Sequence, residues 1–109
     1  MEIKNQSRQF TKQEQYKLTR GTSINVKDAV GVEFPVDGFM LYSEVNSRGE
    51  NVEVLAVLSK KGEVYSTISA TFKREFEFIW ELMDGDDFTL RIIGGITKNN
   101  RDYVSCELA

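Results

Sequence analysis

In several segments between residues 52 and 108, apolar residues recur at every second position, which is typical of strands with one buried face. The exception lies between Thr71 and Asp84, where large apolar residues recur at helical spacing. That stripe consists of Phe72, Phe76, Ile79, Trp80 and Met83. The pattern therefore predicts a strand-rich chain with one main amphipathic helix, which ends at Asp84-Gly85.

Five strands are predicted around this helix, three before it and two after it. The first runs from Val32 to Val45, with Pro35 limiting regular pairing near its start and Gly38 marking a bulge or bend. Short segments rich in turn-forming residues separate the others. These four strands cover residues 52–59, 64–68, 88–93 and 102–108.

A second, shorter helix is predicted near the N-terminus. Thr11 and Glu14 have the spacing of a capping box, in which each side chain satisfies a free backbone N–H. The helix should run to about Thr19 and stop at Gly21, and residues 23–30 should form a connecting strand or loop.

Three strands, one helix and two strands is the order of an OB-fold, in which ligands lie on the face of strands 2 and 3 and on the loops between strands 1 and 2 and strands 4 and 5. We therefore predict an all-β, β-rich fold: a five-stranded OB-type barrel with the main helix between strands 3 and 4 and a short N-terminal helix. The expected core consists of Met40, Val54, Ala56, Leu58, Val64, Ile68, Leu90, Ile92 and Val104, capped by Phe72, Phe76, Ile79 and Trp80.

Length and charge set limits on the organisation of the chain. The 109 residues predict a single domain with one modest core, in which residues 1–30 form a basic segment packed on or beside the barrel. Residues 1–31 have six basic and three acidic groups, whereas the remainder has eight and fourteen. The N-terminus lacks the apolar part of a signal peptide, and no apolar run approaches the roughly 18 residues of a membrane helix. We therefore expect a cytoplasmic protein without a membrane partner.

The inventory of catalytic residues is small. The chain has no histidine, the commonest general base and zinc ligand. Cys106 alternates in phase with Val104 and Leu108, so we interpret it as a small buried hydrophobe. Asp84, Asp86 and Asp87 lack the further ligands of a calcium loop and are interpreted as a solvated turn. The sequence thus predicts no enzyme activity, no metal site and no cofactor.

Basic and aromatic residues form the constellation that could bind a ligand. Single strands are held by cations along the backbone and by aromatic rings on which bases stack. The Tyr65 side chain is expected to point outward, toward the ligand. If Tyr65 is buried instead, the groove lies on the opposite face of the same strand, to which Ser66 points. The candidate binding residues are Tyr42, Arg48, Lys60, Lys61, Tyr65, Arg91, Lys98, Arg101 and Tyr103.

The chain also resembles a known family in four segments: Tyr16 to Thr19, Gly38 to Tyr42, Gly62 to Phe72, and Lys98 to Tyr103. With these segments it looks like the small single-stranded DNA-binding proteins encoded by phages and mobile elements of Gram-positive bacteria. The resemblance implies an OB-like fold, sequence-independent coating of single-stranded DNA during replication, and no enzymatic activity. A phage-encoded protein would act in the host cytoplasm.

Two alternatives from other functional classes stay open. The first is a phage-encoded inhibitor that binds a host protein through its acidic helix face, which could imitate nucleic acid. The second is a small assembly domain that oligomerises through an exposed strand edge. Self-association, as a homo-oligomer or as cooperative contacts on DNA, is a further partner interaction compatible with the main prediction. The acidic helix face consists of Glu77, Glu81, Asp84, Asp86 and Asp87.

Overall fold

In the computed structural model, which describes residues 1–109, seven strands form one curled, open sheet. Two helices pack against it, α1 (Lys12–Thr19) and α2 (Ala70–Met83). Only the β2–β5 pair is parallel, so the sheet is mixed. The strands are β1 (Glu2–Gln6), β2 (Ile24–Asn25), β3 (Glu33–Val45), β4 (Asn51–Ser59), β5 (Val64–Thr67), β6 (Thr89–Ile96) and β7 (Asp102–Leu108).

The β-rich fold class and the position of the main helix are confirmed. The five predicted strands correspond to β3 to β7, and α2 lies between β5 and β6. The predicted strand count is wrong, because residues 2–6 form the additional strand β1 and the connecting segment expected over residues 23–30 contributes the short β2. β1 is polar and mostly exposed, and β2 has only two residues, so neither produces a recognisable alternation of apolar residues.

The sheet does not close into a complete barrel. Its strand order is β2-β5-β4-β3-β6-β7, with β1 paired to β3. The outer edge of β5 pairs with β2, through Ile24 beside Tyr65 and Asn25 beside Ser66. The outer edge of β7 pairs with no strand, and β7 packs against α2. A gap therefore separates the end of β5 from the hairpin formed by β6 and β7.

The predicted bend in the first long strand is confirmed. The pairing of β3 with β4 shifts register between Val36 and Gly38. Residues before the bend pair with β6, and residues after it pair with β1. A Cβ atom at Gly38 would lie 2.6 Å from the Ser7 hydroxyl oxygen and 3.2 Å from the Phe10 ring. Glycine is therefore required here because the N-terminal segment crosses β3 at close range.

Two buried clusters lie on opposite faces of the β3–β4–β5 sheet, since neighbouring strand residues point to opposite sides. The inner core faces α2, and the outer core lies beneath the N-terminal segment. The inner core contains Val26, Ala29, Phe34, Val36, Phe39, Leu55, Val57, Tyr65, Phe72, Phe76, Ile79, Leu90, Ile92, Val104 and Cys106. The outer core contains Phe10, Leu18, Met40, Tyr42, Val54, Ala56, Leu58 and Val64.

The expectation of a single core is therefore wrong. Met40, Val54, Ala56, Leu58 and Val64 are buried as expected, but they lie under Phe10 and Leu18 and not with Leu90, Ile92 and Val104.

Ile68 is the one expected core residue that is exposed, at 60% of its surface. β5 ends at Thr67, whose hydroxyl accepts a hydrogen bond from the Ser69 amide, and the chain then turns into α2. Ile68 therefore lies beyond the end of β5, and its side chain does not point into the core.

Both helices begin with side-chain caps. The Thr11 hydroxyl accepts from the Glu14 amide at 3.1 Å, and the Glu14 carboxylate accepts from the Thr11 amide at 2.9 Å, which confirms the capping box. The backbone hydrogen bond from Thr11 holds the pKa of Glu14 below its usual value. Ser69 caps α2 by accepting from the Phe72 amide. Neither helix is long and apolar enough to cross a bilayer.

Candidate nucleic-acid interface

The ligand face expected on the second and third predicted strands is covered. These strands are β4 and β5, and their outer residues contact Phe10 and Leu18 of the N-terminal segment. Tyr42 is buried in this outer core, and its burial raises its pKa. Its expected position in an open groove is therefore wrong, because the sequence on its own does not indicate that α1 covers this face.

The expected outward direction of Tyr65 is also wrong. Its ring is buried in the inner core and stacks on Phe34, with the ring centroids 4.2 Å apart. Ser66 has the opposite parity, is half-buried, and its hydroxyl lies 3.0 Å from the Ser23 hydroxyl. In this structure, neither Tyr42 nor Tyr65 presents a ring face to a ligand.

Two of the expected binding cations are already paired with carboxylates. Arg91 donates to Glu33 at 2.8 Å and to Glu107 at 3.4 Å across three neighbouring strands. The hydrogen bond to Glu33 is the main cause of its raised pKa. Lys60 lies 2.7 Å from the Asp87 carboxylate. Both charges are thus locally compensated, although both side chains remain partly exposed.

Arg48 and Lys61 have no carboxylate within salt-bridge distance. Arg48 lies in the β3–β4 loop and Lys61 in the β4–β5 turn, so the whole of β4 separates them. A strand of this length spans about 30 Å at roughly 3.3 Å per residue. These two cations do not belong to one compact site.

The β6–β7 hairpin brings together Lys98, Arg101 and Tyr103. Its turn is closed by the Thr97 amide, which donates to the Arg101 carbonyl at 2.8 Å. Tyr103 pairs with Gly95 across the hairpin and is 43% exposed. Neither cation forms a salt bridge. Of the nine expected binding residues, these three form one local group beside an open surface.

A groove of about 640 Å³ occupies the gap in the sheet between the end of β5 and this hairpin. One side consists of the β5–α2 junction, and the other consists of the ends of β6 and β7. Four exposed apolar side chains lie along it, namely Val30, Ile68, Ile96 and Tyr103. Lys27 also lines the groove, and Asp102 is its single carboxylate.

Two adjacent glycines allow this groove to form. A Cβ atom at Gly94 would lie 3.0 Å from a methyl group of Val30 and 3.1 Å from the Tyr103 carbonyl. A Cβ atom at Gly95 would lie 2.9 Å from the Tyr103 ring. Glycine in a strand often marks such a close approach of another group. The adjacent glycines are the sequence feature that could have indicated a close approach here, although they do not reveal which side chains approach.

Lys27, Val30, Ile68 and Ile96 are groove residues that the sequence reasoning did not include. Lys27 reaches the site because the β2–β5 pairing carries the chain toward the end of β5. Such an arrangement of an exposed ring, aliphatic walls and unpaired cations can stack a base and contact phosphates.

The structure brings together no group of three or more histidine, cysteine, aspartate or glutamate side chains able to hold a metal ion. Cys106 is buried as expected, with its sulfur 3.8 Å from the Phe72 carbonyl oxygen. Burial, with a smaller contribution from Glu75, raises the pKa of the Cys106 thiol to about 12.

We expect Cys106 to resist alkylation in the folded protein. A thiol with a pKa of about 12 is about one part in ten thousand thiolate at pH 8, and the thiolate is the reactive form. Labelling by iodoacetamide, followed by intact-mass spectrometry, should be at least about 100-fold slower in the native protein than in urea. Equal labelling rates in the two states would show that Cys106 is accessible.

Comparison of the chain with protein-family models, with curated proteins and with solved structures gives no significant match.

Proposed function

We propose that this chain binds single-stranded DNA without sequence preference, that it coats and protects the strand during replication of a phage or mobile element, and that it has no enzymatic activity. The proposed contact surface is the groove between the β5–α2 junction and the β6–β7 hairpin. Lys98 and Arg101 contact phosphates, Lys27 contacts a further phosphate, and Tyr103 stacks on a base.

The observation that supports this proposal most directly is the groove itself. It combines an exposed aromatic ring with aliphatic walls and one lining cation, Lys27. Lys98 and Arg101 lie in the adjoining β6–β7 turn, and none of the three cations forms a salt bridge. Stacking and backbone neutralisation are the two interactions that hold single strands independently of sequence. A duplex offers phosphates but hides its base faces, so the exposed ring favours the single strand.

The strand order supports an OB-type interpretation of the curled sheet. β3 pairs with both β4 and β6, and α2 separates β5 from β6. OB-type barrels use the loop between their fourth and fifth strands for ligand contacts. Here that loop is the turn between β6 and β7, which contains Lys98 and Arg101.

The proposal is tested by fluorescence-anisotropy titration with labelled oligo-dT, a mixed-sequence single strand, a single-stranded RNA and a matched duplex. We expect similar affinity for the two DNA single strands and at least tenfold weaker duplex binding. Absence of single-strand binding at low salt would overturn the proposal. Preference for RNA would contradict the DNA assignment.

The salt dependence should reflect the number of cations in and beside the groove. Neutralising three phosphates with Lys27, Lys98 and Arg101 gives a slope of log affinity against log salt of about −2, at roughly −0.7 per phosphate. Replacing Lys98 or Arg101 with alanine should reduce the slope by about 0.7 and weaken binding to every sequence. The measurement is a series of oligo-dT titrations between about 0.05 M and about 0.3 M salt.

Arg48→Ala is the matched control, because it removes the same charge from the exposed β3–β4 loop, which is not part of the hairpin beside the groove. Its slope should equal that of the unmodified protein. A slope reduced by Arg48→Ala but unaffected by Lys98→Ala or Arg101→Ala would place the strand on the β3–β4 loop.

A further inference from the structure

The outward face of α2 combines apolar and acidic side chains. Phe78 and Leu82 lie one helical turn apart and are 61% and 62% exposed, while Phe72, Phe76 and Ile79 are buried on the opposite side. Two carboxylates without salt bridges, Glu75 and Glu81, lie one helical turn before and after Phe78, and Arg74 is the cation on this face. Glu77 lies on the flank of the helix, in a small pocket with Lys73 and Phe76.

The outward face of α1 has the opposite charge. Tyr16 is 67% exposed near its centre, while Leu18 anchors the helix in the outer core. Lys12 and Arg20 are exposed one helical turn before and after Tyr16, and neither forms a salt bridge. Lys17 also forms no salt bridge, but its ammonium group lies near Gly62 in the β4–β5 turn. The carboxylate of Glu14 is already held by Thr11 and Arg8.

These two surfaces lie on opposite sides of the molecule. α2 packs on the inner face of β3, β4 and β5, and α1 packs on the outer face of the same strands. Two helices placed in this way cannot contact each other within one copy. They can do so between copies, where the α2 face of one molecule meets the α1 face of the next.

We propose that this chain assembles head to tail, with Phe78 and Leu82 of one copy packed against Tyr16 of the next. The unpaired carboxylates Glu75 and Glu81 of α2 then face the unpaired cations Lys12 and Arg20 of α1. Because each copy retains one free surface of each kind, this heterologous contact adds copies in succession and produces a row. The row exists without nucleic acid, so it goes beyond the proposed binding function.

The charges of the two faces favour the head-to-tail contact over a two-fold symmetric contact. A two-fold contact between two α2 faces would bury Phe78 and Leu82, but it would also place two sets of carboxylates against each other. A two-fold contact of α1 faces would do the same with cations. Like charges brought together across an interface are strongly unfavourable, whereas complementary faces attract and fix the register.

The first test is sedimentation of the free protein across a concentration series from about 10 μM to about 1 mM, which covers micromolar to millimolar contacts. We expect the average mass to rise at least twofold across this range at about 0.1 M salt. The rise should largely disappear at about 1 M salt, where the Debye length falls from about 10 Å to about 3 Å. A monomer at every concentration would overturn the proposal.

The second test uses two double variants that each remove one surface. Phe78→Ser with Leu82→Ser removes the α2 face, and Lys12→Glu with Tyr16→Ser removes the α1 face. Each variant alone should be monomeric, because every head-to-tail contact needs both faces. An equimolar mixture should form a species of twice the monomer mass and nothing larger, since each partner supplies the face that the other lacks.

All four substitutions are at exposed positions, and unchanged thermal melting would show that both variants fold. Association of the α1-face variant with itself would indicate a symmetric α2 contact and overturn the proposal. Failure of two folded variants to combine would also overturn it. Both readouts are independent of oligo-dT affinity, so loss of assembly and loss of DNA binding are separate outcomes.

Discussion

Tyr65→Ala is expected to destabilise the protein by about 3 to 5 kcal/mol, the usual cost of truncating a large buried aromatic residue. The Tyr65 ring stacks on Phe34 within the inner core and packs among residues of α2, β4 and β6. Domains of this size are stable by roughly 5 to 15 kcal/mol, so this variant should lose a large part of its stability. Thermal and urea denaturation followed by circular dichroism should show a melting temperature lower by at least about 10 °C.

Tyr65→Phe is the control, because it keeps the stacked ring and should melt close to the unmodified protein. Oligo-dT affinity per folded molecule should be nearly unchanged in both variants, since the Tyr65 ring does not line the groove. A variant Tyr65→Ala that melts normally but no longer binds oligo-dT would show that this ring faces the ligand, as the alternation pattern alone indicated.

That conflict between pattern and structure has a specific cause. Alternation identifies two faces of a strand, but it identifies the buried one only when the other is solvated. β4 and β5 are buried on both faces, because Phe10 and Leu18 cover the side that α2 does not. Phe10 and Leu18 lie more than thirty residues earlier in the chain than β4, and their contacts with it follow from no local spacing. The residues of β5 alone therefore do not determine whether the Tyr65 side chain points into the core or toward solvent.

Features set by local chemistry were predicted well. The stripe of Phe72, Phe76 and Ile79 is buried on α2, and the capping box begins α1 as expected. The bend near Gly38 was also expected, although its reason, the crossing of Ser7 and Phe10, required the tertiary structure. Local sequence signals thus identified the helices, the main strands and the bend. Which elements pack against each other depended on residues far apart in the chain.

The same distinction applies to the candidate site. Lys98, Arg101 and Tyr103 were identified because one hairpin turn places them together, which is a local property. Arg91 was expected to be available for a ligand, but its carboxylate partners come from the neighbouring strands β3 and β7. The short β2 takes the edge of β5 and leaves the gap that becomes the groove. A two-residue strand is too short to be recognised from sequence.

Tyr103→Ala is expected to weaken single-strand binding about 5- to 150-fold, corresponding to the roughly 1 to 3 kcal/mol contributed by a stacked base. The Tyr103 ring is 43% exposed and lies beside Gly95, so its loss should change the melting temperature little. The measurement is anisotropy with an oligo-dT of about eight nucleotides, within the 4 to 16 nucleotides that one OB-type domain contacts. This length limits binding to a single copy.

Two variants separate stacking from other effects of the substitution. Tyr103→Phe keeps the ring and should restore nearly full affinity, because bases stack on the ring face and not on the hydroxyl. Tyr16→Ala removes a more exposed tyrosine from α1, outside the groove, and should leave the affinity for the short strand unchanged. If Tyr103→Ala binds as well as Tyr103→Phe, the groove does not hold a base at this position. Equal losses in Tyr103→Ala and Tyr16→Ala would instead place the strand on a surface that both rings share.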